Sequence, residues 1–340
     1  MNDEAMNLAT ESSDSRRDVF AIAAERRGLL PLVIEKDFWV CWTLQRLFAL
    51  PDLGGHLLFK GGTSLSKAYG LIHRFSEDID LSVSRDSLGG DLADPEQAAS
   101  NTQRKQRTEA LMAAFRRTVT DRLLPALRAS IEEQLGAEGW ALAQDSTDPG
   151  TLHFAYPRAV SGTLSYVRPE VRIELGGRND DWPAESRTVT AYVSEEMPHV
   201  TPAAVAVRVL AARRTFWEKA TILHAEYHRP SGKVPGERLS RHYSDRAQMA
   251  GTAVEAQALN DLPLLARVRT HKAAFYTAPW ASYETARPGT LRLAPRPERL
   301  DGLRSDYRGM GPMFFGPSLP FDALMEKITA LEERVNALAE

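Results

Sequence analysis

Residues 57–83, LLFKGGTSLSKAYGLIHRFSEDIDLSV, constrain this chain more than any other stretch. The apolar run Leu57-Leu58-Phe59 is long enough only for a buried strand. Gly61-Gly62-Thr63-Ser64 then opens a helix, with Leu65, Ala68, Tyr69 and Ile72 at helical spacing. From Ser76 to Val83 the pattern changes to the period-two alternation of a strand, with Asp78 and Asp80 on one face and Ile79 and Leu81 on the other. Two carboxylates about 7 Å apart on one strand face repel each other, and a bridging cation relieves the repulsion. A glycine turn that leads into a helix lets backbone N–H groups approach a phosphate. Sixteen positions separate Gly62 from Asp78, room for one short helix and a return into a neighbouring strand. A phosphate cradle and a metal pair are therefore expected side by side. Each piece also has a plainer reading: a Gly-Gly turn can be only a turn, and Asp-x-Asp can line a solvated strand.

Two-metal phosphoryl transfer commonly uses three carboxylates, so a third acid is sought. Glu174 lies in the strand candidate 171–175, with Ile173 and Leu175 on the opposite face. It can complete a metal site or act as a base; the alternative is a salt bridge to Arg172 or Arg178.

The 340 residues suggest two domains. Basic and acidic residues nearly balance, 42 against 45, so a nucleic-acid partner would need a local basic patch. The single cysteine, Cys41, excludes an intramolecular disulfide and a cysteine metal cluster. No run is long enough for a membrane span and the polar start is not a signal peptide, so a cytoplasmic protein without membrane attachment is expected. The expected organisation is a polar, frayed start and helix over 1–30, then an α/β core with a mixed sheet over 31–197. The core contains a helical insertion at about 85–150, where Leu111, Phe115, Val119 and Leu123 recur every fourth residue. Further strands are expected near 151–156, 162–166 and 187–193. A mainly helical domain over 198–276 follows, with helix from Ala203 to Tyr227. An irregular Pro/Arg-rich arm covers 277–320, and 321–340 form a heptad helix whose seam packs either on its own chain or on a second copy.

The string Gly61-Gly-Thr-Ser-Leu-Ser-Lys67 followed by Arg74-Phe-Ser-Glu-Asp-Ile-Asp80 resembles the signature of the AbiEii/MenT nucleotidyltransferase toxins, within the polymerase-beta-like nucleotidyltransferase superfamily. Glu35-Lys36-Asp37-Phe38-Trp39, Val171-Arg-Ile-Glu174, Thr215-Phe-Trp-Glu-Lys219, Arg241-His-Tyr-Ser-Asp245, Asp306-Tyr307 and Met313-Phe314 resemble further segments of that family. The resemblance implies that Asp78 and Asp80 hold Mg²⁺ or Mn²⁺, and that Gly61, Gly62, Thr63, Ser64 and Lys67 lie near the triphosphate of an NTP. It also implies that Lys219 contacts phosphate and that Asp245 is the acid of the last motif. Implied partners are an RNA acceptor, a tRNA 3′ end for some members, and a cognate antitoxin protein. The implied site lies between core and helical domain.

Between Arg208 and Arg246 nine Lys/Arg stand against four acids, a local basic excess in an otherwise balanced chain. Arg213, Arg214, Arg238, Arg241 and His242 are the candidates for contact with RNA, with His224, His228 and Tyr243 interleaved. A solvated helix face with paired charges is the alternative. Trp39 and Trp217 read as core residues, and His73 and His153 as structural. Two other functions stay open: transfer to a small molecule or protein hydroxyl, and a non-catalytic binding module.

Overall fold

The computed structural model describes residues 6–162, 168–178, 180–201, 204–234, 236 and 238–338. The strand expected over 162–166 lies almost wholly outside them. In chain order the elements are β1 (Met6–Asn7), α1 (Ser13–Arg27), α2 (Pro31–Phe48), β2 (Leu57–Lys60), α3 (Gly61–Lys67), β3 (Ile79–Val83) and α4 (Asn101–Thr118). Next come α5 (Leu124–Leu135), β4 (Ala141–Gln144), β5 (Thr151–Ala155), β6 (Val171–Gly176), β7 (Ala184–Val189), α6 (Tyr192–Glu196), β8 (Val200–Thr201) and β9 (Val205–Leu210). The rest is helical: α7 (Ala212–His228), α8 (Ser240–Met249), α9 (Ala253–Leu259), α10 (Leu262–Phe275), α11 (Leu300–Gly309) and α12 (Phe321–Asn336).

Two compact units form. The first comprises Met1–Tyr69, Phe75–Leu92 and Glu109–Leu210. Its centre is a seven-stranded mixed sheet in the order β4-β5-β6-β3-β2-β9-β7. β3 runs antiparallel to β2 and parallel to β6, and β2 runs parallel to β9. The expected α/β core with a mixed sheet is therefore the observed one. Helix α2 is buried nearly all round and packs against α1, α5, α6, β6 and β9. Aromatic rings fill that contact: Trp39 stacks on Tyr156 at 5.5 Å and Trp42 on Phe154 at 5.8 Å between centroids. Trp39 is a core residue, as its sequence setting suggested.

Several elements differ from expectation for local physical reasons. α3 ends at Lys67 rather than continuing to Ile72, because Gly70 takes φ +60°, a left-handed turn that stops the helix. The expected helix from Ala203 begins only at Ala212; Val205-Ala-Val-Arg-Val-Leu210 is strand β9, with alternating burial and β-branched residues suited to a place between β2 and β7. The strand expected over 187–193 starts and ends earlier, and Tyr192 opens helix α6 instead. The start of the chain is not frayed over residues 6–15: Leu8 is fully buried, and Ser12 caps α1 by accepting from Ser15 N–H. In the insertion, a strict four-residue apolar step would drift about 40° per repeat on a regular α-helix. A π-helical turn at Val119–Leu123 absorbs that drift just before Pro125, and Leu111, Phe115, Val119 and Leu123 are all buried.

The second unit comprises Gly70–Arg74, Ala93–Thr108 and Ala211–Glu340. Helix α7 is its axis and packs against α8, α9 and α10. Trp217 is fully buried there and donates its indole N–H to Ala258 O at 3.2 Å. The segment Ala93–Thr108 is anchored by Glu96, which meets His271 of α10 at 2.7 Å. The arm is irregular apart from 3-10 turns and α11. The seam of α12 (Phe321, Leu324, Ile328, Leu331 and Val335) is buried within this chain, largely on α8. No helix among the described residues is long and apolar enough to cross a membrane.

Candidate active site

In the first unit the glycine turn and the acidic strand are in direct contact. Gly61 takes φ +76°, and a Cβ there would stand 1.9 Å from Asp80 Oδ2. Only glycine lets this backbone and that carboxylate share the space. Asp80 lies in β3 opposite Lys60 of β2 and, on the other side, in register with Glu174 of β6. Side chains in register on neighbouring strands share a sheet face, so Asp80 and Glu174 do. Asp78 immediately precedes β3. Its carbonyl accepts the Thr63 hydroxyl at 2.5 Å, and its carboxylate makes no hydrogen bond or ion pair among the described residues.

Sequence reasoning placed Thr63, Ser64 and Lys67 toward the triphosphate, and the structure turns all three inward. Thr63 and Ser64 are buried; Ser64 donates to Gly61 O at 2.9 Å and so pins the turn. Lys67 Nζ is 2.8 Å from Asp37 Oδ1 and 3.6 Å from the centroid of the Tyr192 ring. Burial is the largest single influence and works against its charge, but Asp37, with Cys41 and Tyr192, holds the ammonium above its usual range. Lys67 is thus paired inside the fold with Asp37. Glu174 is half-exposed and ion-paired with Arg172 at 2.8 Å, the plainer of its two expected readings.

The Glu35-Lys36-Asp37 motif gives the largest surprise. All three charges are buried. Glu35 accepts Ala159 N–H at 2.6 Å, and Asp37 accepts Tyr192 N–H at 2.6 Å. Lys36 Nζ donates to the carbonyls of Arg168 and Glu170 and lies 3.4 Å from Glu77 Oε2. Part of the signal was available in the sequence: three consecutive helical charges flanked by Val33-Ile34 and Phe38-Trp39-Val40-Cys41-Trp42 spread round the helix, so at least one turns toward apolar packing and needs a partner there.

In the second unit Asp245 is fully buried on α8 and meets two cations. Arg74 Nε and Nη2 bind its two oxygens at 2.7 and 2.9 Å, and Lys219 Nζ is 2.8 Å from Oδ2. Burial alone would raise the Asp245 carboxyl, yet Arg74 and Lys219 hold it well below the usual carboxylate range. Lys219 moves down: burial dominates, and Arg74 and Arg241 add to it against the pull of Asp245. His242 Nδ1 is 3.5 Å from Lys219 Nζ, and burial with the Lys219 and Arg241 charges keeps that ring neutral. Arg74 has no role on sequence grounds, because its partner Asp245 lies 171 positions further along the chain.

The five RNA candidates do not form one face. Arg214 is fully buried beside Glu218 at 3.3 Å and is withdrawn as a surface contact, because it lies on the packed side of α7. Arg213 is 3.7 Å from Asp261. Arg238 is exposed just before α8, and Arg241 and His242 are half-buried on its first turn.

Hard carboxylate oxygens suit a magnesium-type cation. Among the described residues no three His, Cys, Asp or Glu side chains gather closely enough to hold a metal by themselves. Asp78 and Asp80 therefore fit the other common arrangement, one or two carboxylates that share the ion with substrate phosphates.

The sequence profile described as "Nucleotidyl transferase AbiEii toxin, Type IV TA system" matches residues 42–327. The chain belongs to the AbiEii family of nucleotidyltransferase toxins. Its fold resembles that of MenT4, a nucleotidyltransferase toxin from Mycobacterium tuberculosis, with a TM-score of 0.52, 17% identity and coverage of 95% of this chain and 90% of that one. JHP933 from Helicobacter pylori also aligns, at 11% identity and a TM-score of 0.38, over 96% of this chain and 93% of that one. No curated protein sequence matches significantly. The expected family and the expected fold both stand.

Proposed function

We propose that this AbiEii-family chain transfers nucleotides from an NTP to an RNA acceptor, a tRNA 3′ end, by in-line displacement at paired metal ions. The observation that carries the reading is the contact of Asp80 with Gly61, which sets a carboxylate suited to a divalent cation against a backbone turn suited to a triphosphate. A divalent cation bound there would neutralise the phosphates and polarise the reacting phosphoryl group. Asp78 and Asp80 would hold it, and the backbone at Gly61 and Gly62 would face the phosphates. Within the second unit Arg74 and Lys219 share the Asp245 carboxylate, so Lys219 does not hold that anion alone. Lys219 is the residue suited to a phosphate, and Asp245 aims it. Glu174 is retained as a candidate base or third acid. Arg238, Arg241 and His242 would meet the RNA. The reaction would run in the cytoplasm, where a cognate antitoxin restrains it.

Incubation with each labelled NTP, Mg²⁺ and total tRNA tests the proposal. Label should appear on RNA with the parent protein and drop by about 10³-fold or more with Asp80→Ala. Absence of labelled RNA with every nucleotide would reject the RNA acceptor. One observation favours a second reading, transfer to a small molecule or protein hydroxyl: with Arg214 buried, the basic face is smaller than the sequence count suggested. Under that reading Arg238→Glu with Arg241→Glu leaves turnover unchanged.

A further inference from the structure

Lys36 is a fully buried ammonium on the second turn of α2, and the proposed chemistry leaves it unused. Its surroundings connect two strand entrances. Glu77 is two residues before β3, and Arg168 and Glu170 lie just before β6. Lys36 donates to the carbonyls of Arg168 and Glu170 and pairs with Glu77, while Glu77 Oε2 accepts Arg168 N–H at 3.0 Å. β3 and β6 are parallel neighbours, with Ile79 opposite Ile173 and Asp80 opposite Glu174. One buried charge thus ties together the starts of the two strands that carry the acids. The residue after Glu77 is Asp78, whose own carbonyl is held by Thr63. Asp78 is fixed along its backbone from both sides while its carboxylate makes no hydrogen bond or ion pair among the described residues.

We propose that Lys36 is a positioning residue for the acidic pair: it clamps Glu77 and the 168–170 turn so that Asp78 and Asp80 meet a divalent cation in fixed geometry. This rests on the nucleotidyltransferase reading of that pair. A lysine that only fills space could be exchanged for a hydrophobe of similar length at little cost to metal binding. A clamp cannot, because its loss leaves Glu77 charged and unpaired beside Asp78 and two carbonyls without a donor.

The test measures Mn²⁺ binding by electron paramagnetic resonance with a non-hydrolysable NTP analogue, alongside kcat, KM and thermal melting. Lys36→Met is expected to fold, to bind Mn²⁺ about 10–100-fold more weakly, and to lose kcat rather than NTP affinity. Lys36→Met with Glu77→Gln removes both charges and should regain most of that loss, since Gln still accepts Arg168 N–H. Lys36→Gln keeps donors for the carbonyls and takes the place of Lys36→Met should the latter not fold; a loss of about tenfold is expected. Folded single variants that bind Mn²⁺ and turn over as the parent does would overturn the proposal. So would a double variant no better than Lys36→Met. The underlying reading fails separately, if the parent and Asp80→Ala bind Mn²⁺ alike.

Discussion

Lys67 and Lys219 are both buried ammonium groups, each 2.8 Å from an aspartate oxygen. Their surroundings differ in how that aspartate is shared. Lys67 faces one anion, Asp37, and the electron-rich face of Tyr192, so the pair is neutral and complete. Lys219 shares Asp245 with Arg74, which takes both carboxylate oxygens, so its anion is divided between two cations. A lysine with an anion to itself holds structure together, whereas one that shares its anion is held less exclusively and is better placed to turn to an anionic ligand. The two lysines had the same assignment on sequence grounds, and only the neighbouring cation separates them.

The strongest way to break this comparison is to remove each ammonium. Lys219→Met should lower nucleotide transfer by about 10³-fold. Lys67→Met should change turnover per folded molecule by less than about tenfold and instead destabilise the fold by about 3–5 kcal/mol, measured by urea denaturation, because Asp37 is left buried and unpaired. Equal kinetic losses in the two variants would refute the distinction.

Removing both members of the closed pair sharpens it. Lys67→Met with Asp37→Leu should recover at least about half of the single-variant stability loss, since well-packed hydrophobes often replace a buried ion pair at little cost. The remainder reports the Tyr192 N–H that Asp37 accepts.

Acid should probe α7 through a different buried group. His224 is neutral in the fold: Nε2 faces Ser282 O and Thr285 Oγ1, and Nδ1 accepts Arg292 N–H. Burial lowers it to about 4 from 6.5. The unfolded chain therefore binds the proton more readily, so stability is intact above about pH 6.5 and is lost as pH falls toward 4. The loss between pH 7 and 5 should be about 2 kcal/mol. Denaturation at several pH values checks this, and His224→Gln should flatten that part of the profile.

The smallest effect concerns the exposed charges. Arg238→Glu and Arg241→Glu should weaken RNA binding uniformly across sequences, each lowering the salt slope by about 1 in filter binding. A slope unchanged by both would remove RNA from this face.

The local chemistry around residues 57–83 was legible because glycine geometry and strand periodicity are short-range rules. Strand–turn–helix–strand followed from them, and Gly61 proved to need its missing Cβ because Asp80 occupies the space. Strand β9 stands where the sequence suggests the start of a helix. Ala-Val alternation is compatible with either state, and its place between β2 and β7 decides the matter. The heptad seam of α12 was legible as a buried stripe, but which surface covers it was not.

By itself the sequence determined the family, the α/β core and the order of its acidic and glycine motifs, since these depend on residue type and spacing. Tertiary structure alone decided which charges are spent inside: Lys67 on Asp37, Lys36 on Glu77, and Arg74 with Lys219 on Asp245. The physical reason is that burial makes an unpaired charge costly, so partners far apart in the chain must meet. Spacing along one strand or helix carries no record of who those partners are.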